Sequence, residues 1–408
     1  MKITFLALGS RGDIQPYAAL GRALTEAGHE VSFISTENYK NLIEERGINF
    51  YPIPGNAEHL VKNKGADTSA LMWAFRNTAK GMITNAKQIL PALTETDLIL
   101  NQLPGGAFSL DIQEKYGIPM SLAATIPLIQ TSAFPMMGWP RSLAKFPRYN
   151  SWSYKASEHI AWAILKSLIN QWRQDILGLS KITNSDYFRR HKVPVLNGFS
   201  KHIVPKPPDW GNDVSITGYW FESNGGWEPP KALINFIERG KRPIYIGFGS
   251  MPVRNPKKTT QTIIHALEES GERAVVNTGW GDLVNIDLPD HVFKIEYAPF
   301  DWLFPRMKAV VHHGGSGTTA AGLRSGVPSL IIPFLFDQFF WADRIIKLGA
   351  GPDPIPYRKL SAASLAKGIG LVVNDPKIRE NSAKIGAKIR TEDGINNAIR
   401  VIREHNNT

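Results

Sequence analysis

Twice along this chain, apolar runs of strand length alternate with amphipathic stretches of helical period. Near the start, "KITFLALG" leads into "DIQPYAALGRALTEAGH". There Ile14, Tyr17, Gly21, Leu24 and Ala27 share one helical face, and Gly28 is placed to end the helix. "EVSFIS" follows as a second strand, so the opening reads as a βαβ unit. Strands of a parallel sheet are covered on both faces and read as unbroken apolar runs, as these do. "DLILNQL" and "PMSLAAT" add further strands. The alternation restarts with "PIYIGFGS", "PKKTTQTIIHALEES", "RAVVNTGW", "HVFKIEYAPF", "AVVHH" and "PSLIIPF". Between the two series, "PKPPDWGNDVSITGYWFESNGGWEPP" is dense in Pro, Gly and Asn and reads as a linker or an irregular connection. The expected fold is α/β, with two doubly wound Rossmann-like domains facing across a cleft. The expected division is 1–208 and 209–390, with a helix over 391–408 packing back toward the first domain. One large sheet is the alternative, and the central position of the linker favours two domains.

A length of 408 residues suits two or three domains. The chain has no cysteine, which excludes disulfides, thiol chemistry and cysteine-ligated metals. Its net charge of +11 suits anionic partners such as nucleotides, phospholipid surfaces or nucleic acid. The basic residues are spread out and no nucleic-acid motif appears, so nucleic acid is not expected as a partner. The first residues do not read as a signal peptide, and no run reaches the ~18 apolar residues needed to span a bilayer. The expected location is cytoplasmic, with peripheral membrane contact left open. From Trp139 to Lys192 the texture is aromatic and basic, with ten Lys/Arg against three acids. That segment reads as mostly helical: an apolar pocket, a patch on anionic lipid, or an ordinary amphipathic subregion packed on the first sheet.

"HHGGSGTT" lies between a strand and a helix. Bare helix N–H groups, the helix dipole and absent side chains make such a turn suited to an anion. Gly314, Gly315 and Gly317 clear space, Ser316 and Thr318 offer hydroxyls, and His313 offers a ring N–H. A tight turn with packed or capping histidines is the other reading. The turn is not a P-loop, because no Lys closes it, and "GSRGD" lacks dinucleotide-binding spacing. The next strand, "PSLIIPF", runs into Asp337 and Gln338. Neighbouring strand ends of a parallel sheet open on one crevice. A carboxylate beside a carboxamide suits hydroxyl-rich ligands, although Asp337 also reads as a helix cap. "FGS", ending at Ser250, is a third strand end that faces the same crevice in this reading.

"HHGGSGTTAAGLRSGVPSLIIPFLFDQFFWADRI" resembles the donor-binding signature of nucleotide-sugar glycosyltransferases of the GT-B fold. It is most similar to the branch containing sterol 3-beta-glucosyltransferases and macrolide and glycopeptide-antibiotic glycosyltransferases. "MKITFLALGSRGDIQPYAALGRALTEAGHEV", "GFGS" and "APFDWLFP" match that branch as well. The resemblance implies that His313, Gly315, Ser316, Gly317, Thr318 and Ser250 hold the diphosphate, while His312 packs on the other side of its strand. It further implies that Tyr297, Ala298 and Pro299 edge the base and that Asp337 and Gln338 hold sugar hydroxyls. Asp13 is implied as general base, with Arg11 and Gly12 as supporting residues; a helix cap is the structural alternative for Asp13. Its carboxylate is expected near the ordinary value of ~4. The implied reaction is inverting transfer of a hexose, glucose first, from a UDP-sugar to a hydroxyl of a lipophilic small molecule. TDP-sugars are also used in that branch. No cofactor and no metal are implied, and the chain contains no Asp-x-Asp triplet. A nucleotide-sugar epimerase of the same architecture and a non-catalytic sugar-nucleotide-binding protein are the alternatives.

Overall fold

The computed structural model describes residues 1–55, 68–102, 106–184, 193–222, 226–249, 251, 253, 255–277 and 288–406. Among them the apolar runs become two parallel sheets. The first holds β1 (Lys2–Leu6), β2 (Glu30–Thr36), β3 (Asn49–Ile53), β4 (Leu98–Asn101), β5 (Met120–Ala124), β6 (Val195–Asn197) and β7 (Val214–Ile216). Its spatial order is β3-β2-β1-β4-β5-β6-β7. The second holds β8 (Ile244–Gly247), β9 (Ala274–Asn277), β10 (Val292–Ile295), β11 (Val310–His312) and β12 (Ser329–Ile331), in the order β10-β9-β8-β11-β12. In each sheet the order reverses beside its first strand, at the β1/β4 and β8/β11 junctions. Crevices at such reversals, beyond the carboxyl ends of the strands, are where ligands bind in doubly wound sheets.

The first helix starts earlier than its apolar face suggests. It runs Arg11–Glu26, with Ser10 as N-cap, and the chain reverses after it through Gly28 at φ 85°. The stretch read as a linker contains β7, which pairs in parallel with β6, Val195 opposite Val214. The first sheet therefore extends past the division expected at 208/209. β3, β6 and β7 had no clear signature in the sequence: β3 (NFYPI) is broken by Pro52, and β6 (VLN) and β7 (VSI) hold two apolar residues each. The aromatic, basic segment forms the long helix Pro147–Gln171 and a π-helical turn, Trp172–Ile176. Arg173 anchors that turn by pairing, fully buried, with Asp111 and also with Glu114.

One face of the first sheet packs Ile3, Phe5 and Phe33 against Tyr17 of the first helix and against Ala398, Ile399 and Ile402. The latter belong to the terminal helix Gly394–Asn406, which thus returns to the first lobe. At the crossing, a Cβ on Gly394 would stand 2.2 Å from the Tyr219 carbonyl oxygen. A second apolar cluster straddles the lobes, joining Phe134, Tyr154 and Phe199 to Leu323, Phe340 and Trp341. The two lobes are closed on one another. No helix among the described residues is long and apolar enough to cross a membrane.

Candidate active site

The chain leaves β1 through Gly9, at φ 150°, and enters the first helix at its cap. Ser10 donates to Asp13 Oδ2 from both its backbone N–H and its hydroxyl, each at 2.8 Å. Asp13 is the third residue of the helix, so this is one arm of a capping box. A Cβ on Gly9 would lie 2.6 Å from Oδ2, so only glycine leaves room for the carboxylate. Burial raises the Asp13 carboxyl above its ordinary value, partly offset by the Ser10 bonds. This corrects the expectation of an ordinary carboxylate. Arg11 places its guanidinium 5.4 Å from the centre of the Tyr297 ring, across the cleft. Gly12 is exposed beside the cap.

The glycine-rich turn is built by backbone geometry. His312, at the end of β11, is fully buried, and its Nδ1 accepts from the Gly314 N–H at 3.1 Å. Gly314 adopts φ 88°; a Cβ there would stand 2.7 Å from Ile331 Cγ2 and 3.1 Å from the Gln338 carbonyl oxygen. The turn and the Asp-Gln loop therefore touch. Gly315 caps the helix Ser316–Ser325, and Gly326, at φ 72°, ends it. The His313 ring lies between two glycines. Added Cβ atoms would meet it at 2.4 Å from Gly315 and 2.9 Å from Gly249. Burial lowers His313 to about 4, so at neutral pH the ring is uncharged and keeps one N–H to donate. Its Nδ1 is buried with no hydrogen-bond partner among the described residues. Thr318 is half-buried in the first turn of the helix, and Gly317 is exposed there.

Phe336 is the only non-glycine at positive φ among the described residues, at 47°, and immediately precedes Asp337. Such strain persists only where the surroundings impose it, and it collects at functional sites. Asp337 opens the helix Asp337–Lys347, and its Oδ2 accepts from Trp341 Nε1 at 3.1 Å. Burial first, and the charge of Asp13 second, push the Asp337 carboxyl up to about 7. The charge of Asp13, on the first lobe, is thus felt at Asp337 on the second.

Tyr297 is exposed beneath the Arg11 guanidinium, and Ala298 and Pro299 after it are buried. Two expected ligand groups are already engaged. The Ser316 hydroxyl donates to the Thr125 carbonyl of the first lobe at 2.9 Å. Gln338 is buried, its Oε1 accepting from the Phe334 and Leu335 N–H groups at 2.7 and 3.2 Å and its Nε2 directed at Met251 Sδ. It shapes the loop that presents Asp337. Ser250 lies outside the described residues. Sequence reasoning missed Ser10, Gly9, Gly249, Phe336 and Thr125. A glycine soon after a strand was the available signal for Gly9 and Gly249, and the Ser-x-x-Asp spacing of a capping box was the signal for Ser10; nothing local marks Phe336 or Thr125.

Residues 3–135 match the glycosyltransferase family 28 N-terminal domain, and residues 273–394 match the erythromycin biosynthesis protein CIII-like C-terminal domain. A sterol 3-beta-glucosyltransferase of Arabidopsis thaliana is 35% identical over 99% of this chain and 68% of that protein. A second from the same plant is 35% identical over 99% of this chain and 66% of that protein. For the one from Komagataella phaffii the values are 34%, 98% and 34%. The chain thus spans about two thirds of the plant relatives and about a third of the yeast one. In fold it is similar to the glycotransferase of kitacinnamycin, with TM-score 0.74 and 18% identity over 99% of this chain and 98% of that one. The calicheamicin glycosyltransferase gives 0.70 and 16%, over 99% and 97%. With two facing parallel α/β lobes and a relative of this similarity over nearly its whole length, the chain belongs to the family 28 glycosyltransferases of GT-B fold and is related to the sterol glucosyltransferases.

Proposed function

We propose that this protein transfers a hexose, glucose in the first instance, from a UDP-sugar to a hydroxyl of a lipophilic small molecule of sterol, terpenoid, polyketide or flavonoid type. The observation that carries the reading is a pair of half-buried carboxyls, Asp13 and Asp337, one from each lobe, both raised above the ordinary carboxylate value, with the charge of Asp13 acting on Asp337. Similarity to sterol 3-beta-glucosyltransferases over nearly the whole chain supports the sugar and the acceptor class. The apolar seam of Phe134, Met136, Met137 and Phe336 supports an acceptor with little polarity.

In this reading the acceptor hydroxyl attacks the anomeric carbon while its proton passes to Asp13, whose raised pKa makes it a stronger base than an exposed carboxylate. The bond from the anomeric carbon to the diphosphate oxygen breaks on the opposite side, so the configuration inverts. The departing charge meets the N–H groups at Gly315–Thr318 and the neutral His313 ring. Asp337 contacts sugar hydroxyls and, near neutral pH, serves as donor or acceptor. Tyr297, with Ala298 and Pro299, edges the base; Ser250, outside the described residues, is kept as a diphosphate ligand on the resemblance alone.

The test is a panel of nucleotide sugars against hydrophobic alcohols, read by product mass. Thymidine diphosphate sugars belong in the panel, because a similar Streptomyces glycosyltransferase is known in complex with thymidine diphosphate. Glucosylated product from UDP-glucose, with inverted anomeric configuration, is the expected result. A new sugar nucleotide formed without acceptor would make the protein an epimerase instead.

A further inference from the structure

Of the ten large hydrophobic side chains exposed among the described residues, four fall within twenty residues of one another: Leu143, Phe146, Trp152 and Ile160. Phe146 and Trp152 are 50% and 54% exposed, which is unusual for rings of that size. Two more, Phe339 and Ile346, share a face of the helix Asp337–Lys347, with Asp343 between them. Arg141 joins the two groups across the lobes, pairing with Asp343 at 2.5 Å and donating to the Phe339 carbonyl at 2.6 Å. The apolar surface thus spans the seam between the lobes.

The surface is ordered by specific contacts. Trp152 packs edge-to-face on Trp139, with ring centres 5.1 Å apart. Trp139 Nε1 donates to Ser157 Oγ at 2.7 Å, and the Tyr149 hydroxyl donates to the Pro140 carbonyl at 3.0 Å. Its charge is one-sided. From Arg141 to Gln171 there are five Lys/Arg and a single acid, Glu158, and Lys145, Arg148, Lys155 and Lys166 are all exposed. Aromatic bodies beside exposed basic heads suit the headgroup zone of an anionic bilayer, where the rings enter the acyl boundary and the cations stay with the lipid phosphates. An acidic protein partner would match the charge but give no reason for tryptophan and phenylalanine to stand free at the surface.

We propose that this face is a docking surface for an anionic phospholipid bilayer. It adjoins the cleft, since a Cβ on Gly138 would lie 3.6 Å from the Phe336 ring, next to Asp337. Docking therefore sets the mouth of the cleft at the water–lipid boundary. The inference goes beyond the proposed function and does not depend on the identity of the acceptor.

The test is co-sedimentation of the full chain with phosphatidylcholine vesicles with and without phosphatidylglycerol. Binding is expected only with phosphatidylglycerol. The pair K145E and R148E, and separately the pair F146S and W152S, are expected to lower the partition coefficient about tenfold or more. Turnover of a water-soluble acceptor is expected to stay unchanged in both, which separates loss of docking from failure of the active-site reading. Bromine-labelled lipid is expected to quench less fluorescence in W152F than in the parent protein. Binding insensitive to both pairs overturns the proposal. So does a shift from dimer to monomer in the F146S/W152S pair without vesicles, which would make the face a contact between copies.

Discussion

Replacing Gly315 with alanine tests whether the cleared space around His313 serves donor binding. Gly315 has φ −63° and ψ 148°, a conformation that alanine adopts without strain. The added Cβ, however, would stand 2.4 Å from His313 Nε2 and 3.2 Å from two ring carbons. An ordinary contact needs about 1 Å more than the shorter of these, so the ring must move by that amount, and a hydrogen bond displaced so far is lost. A hydrogen bond to a charged group contributes about 1.5–3 kcal/mol, so UDP affinity should fall about 10- to 150-fold. Titration calorimetry with UDP measures this directly, with a thermal melt to follow the smaller effect on the helix cap. The decisive arm is the double variant. In a His313→Ala background, Gly315→Ala should change UDP affinity by no more than about twofold, because the displaced ring is already gone. Full additivity of the two losses would refute the argument, since alanine would then be acting on the turn and not through the histidine.

Asp13→Asn should leave UDP affinity close to that of the parent and lower kcat by about 10²–10⁴-fold, as loss of a general base does; a comparable loss of UDP affinity would remove Asp13 from that role. The folded-state pKa of Asp337 is raised from 3.8 to about 7, so the native state holds a proton that the unfolded chain has lost. Its contribution to stability is full below about pH 4, declines as pH rises to about 7 and is flat above that. Denaturant titrations at about pH 5 and pH 8 should show this decline shrinking in Asp337→Asn, and shifting to lower pH in Asp13→Asn, which removes the charge across the cleft. Gly394→Ala drives a Cβ into the Tyr219 carbonyl, backbone against backbone. It should destabilise the fold by about 1–3 kcal/mol, seen as a lower melting temperature, and an unchanged melt would show that the crossing has slack.

Much of the architecture was legible because it rests on neighbouring residues. Apolar runs such as "AVVHH" and "EVSFIS" announce doubly covered strands, and Gly28 marks a helix end. The spacing of "HHGGSGTT" marks a turn that leaves helix N–H groups bare. β6 and β7 were not legible, since each holds only two apolar residues, Val195 and Leu196 in one and Val214 and Ile216 in the other, set among turn-forming residues. Ser316 and Gln338 were legible as polar groups at the right strand ends. Their partners, the Thr125 carbonyl and the Phe334 and Leu335 amides, come from the closed packing.

By itself, then, the order of residues determined two parallel sheets, the glycine-rich turn and the candidate residues, because periodicity and turn chemistry act over a few residues. Tertiary structure alone decided the electrostatics. Asp13 and Asp337 lie more than three hundred residues apart in sequence. Burial raises the Asp13 carboxyl; at Asp337 burial is joined by the charge of Asp13, which only the packing of one lobe on the other brings near.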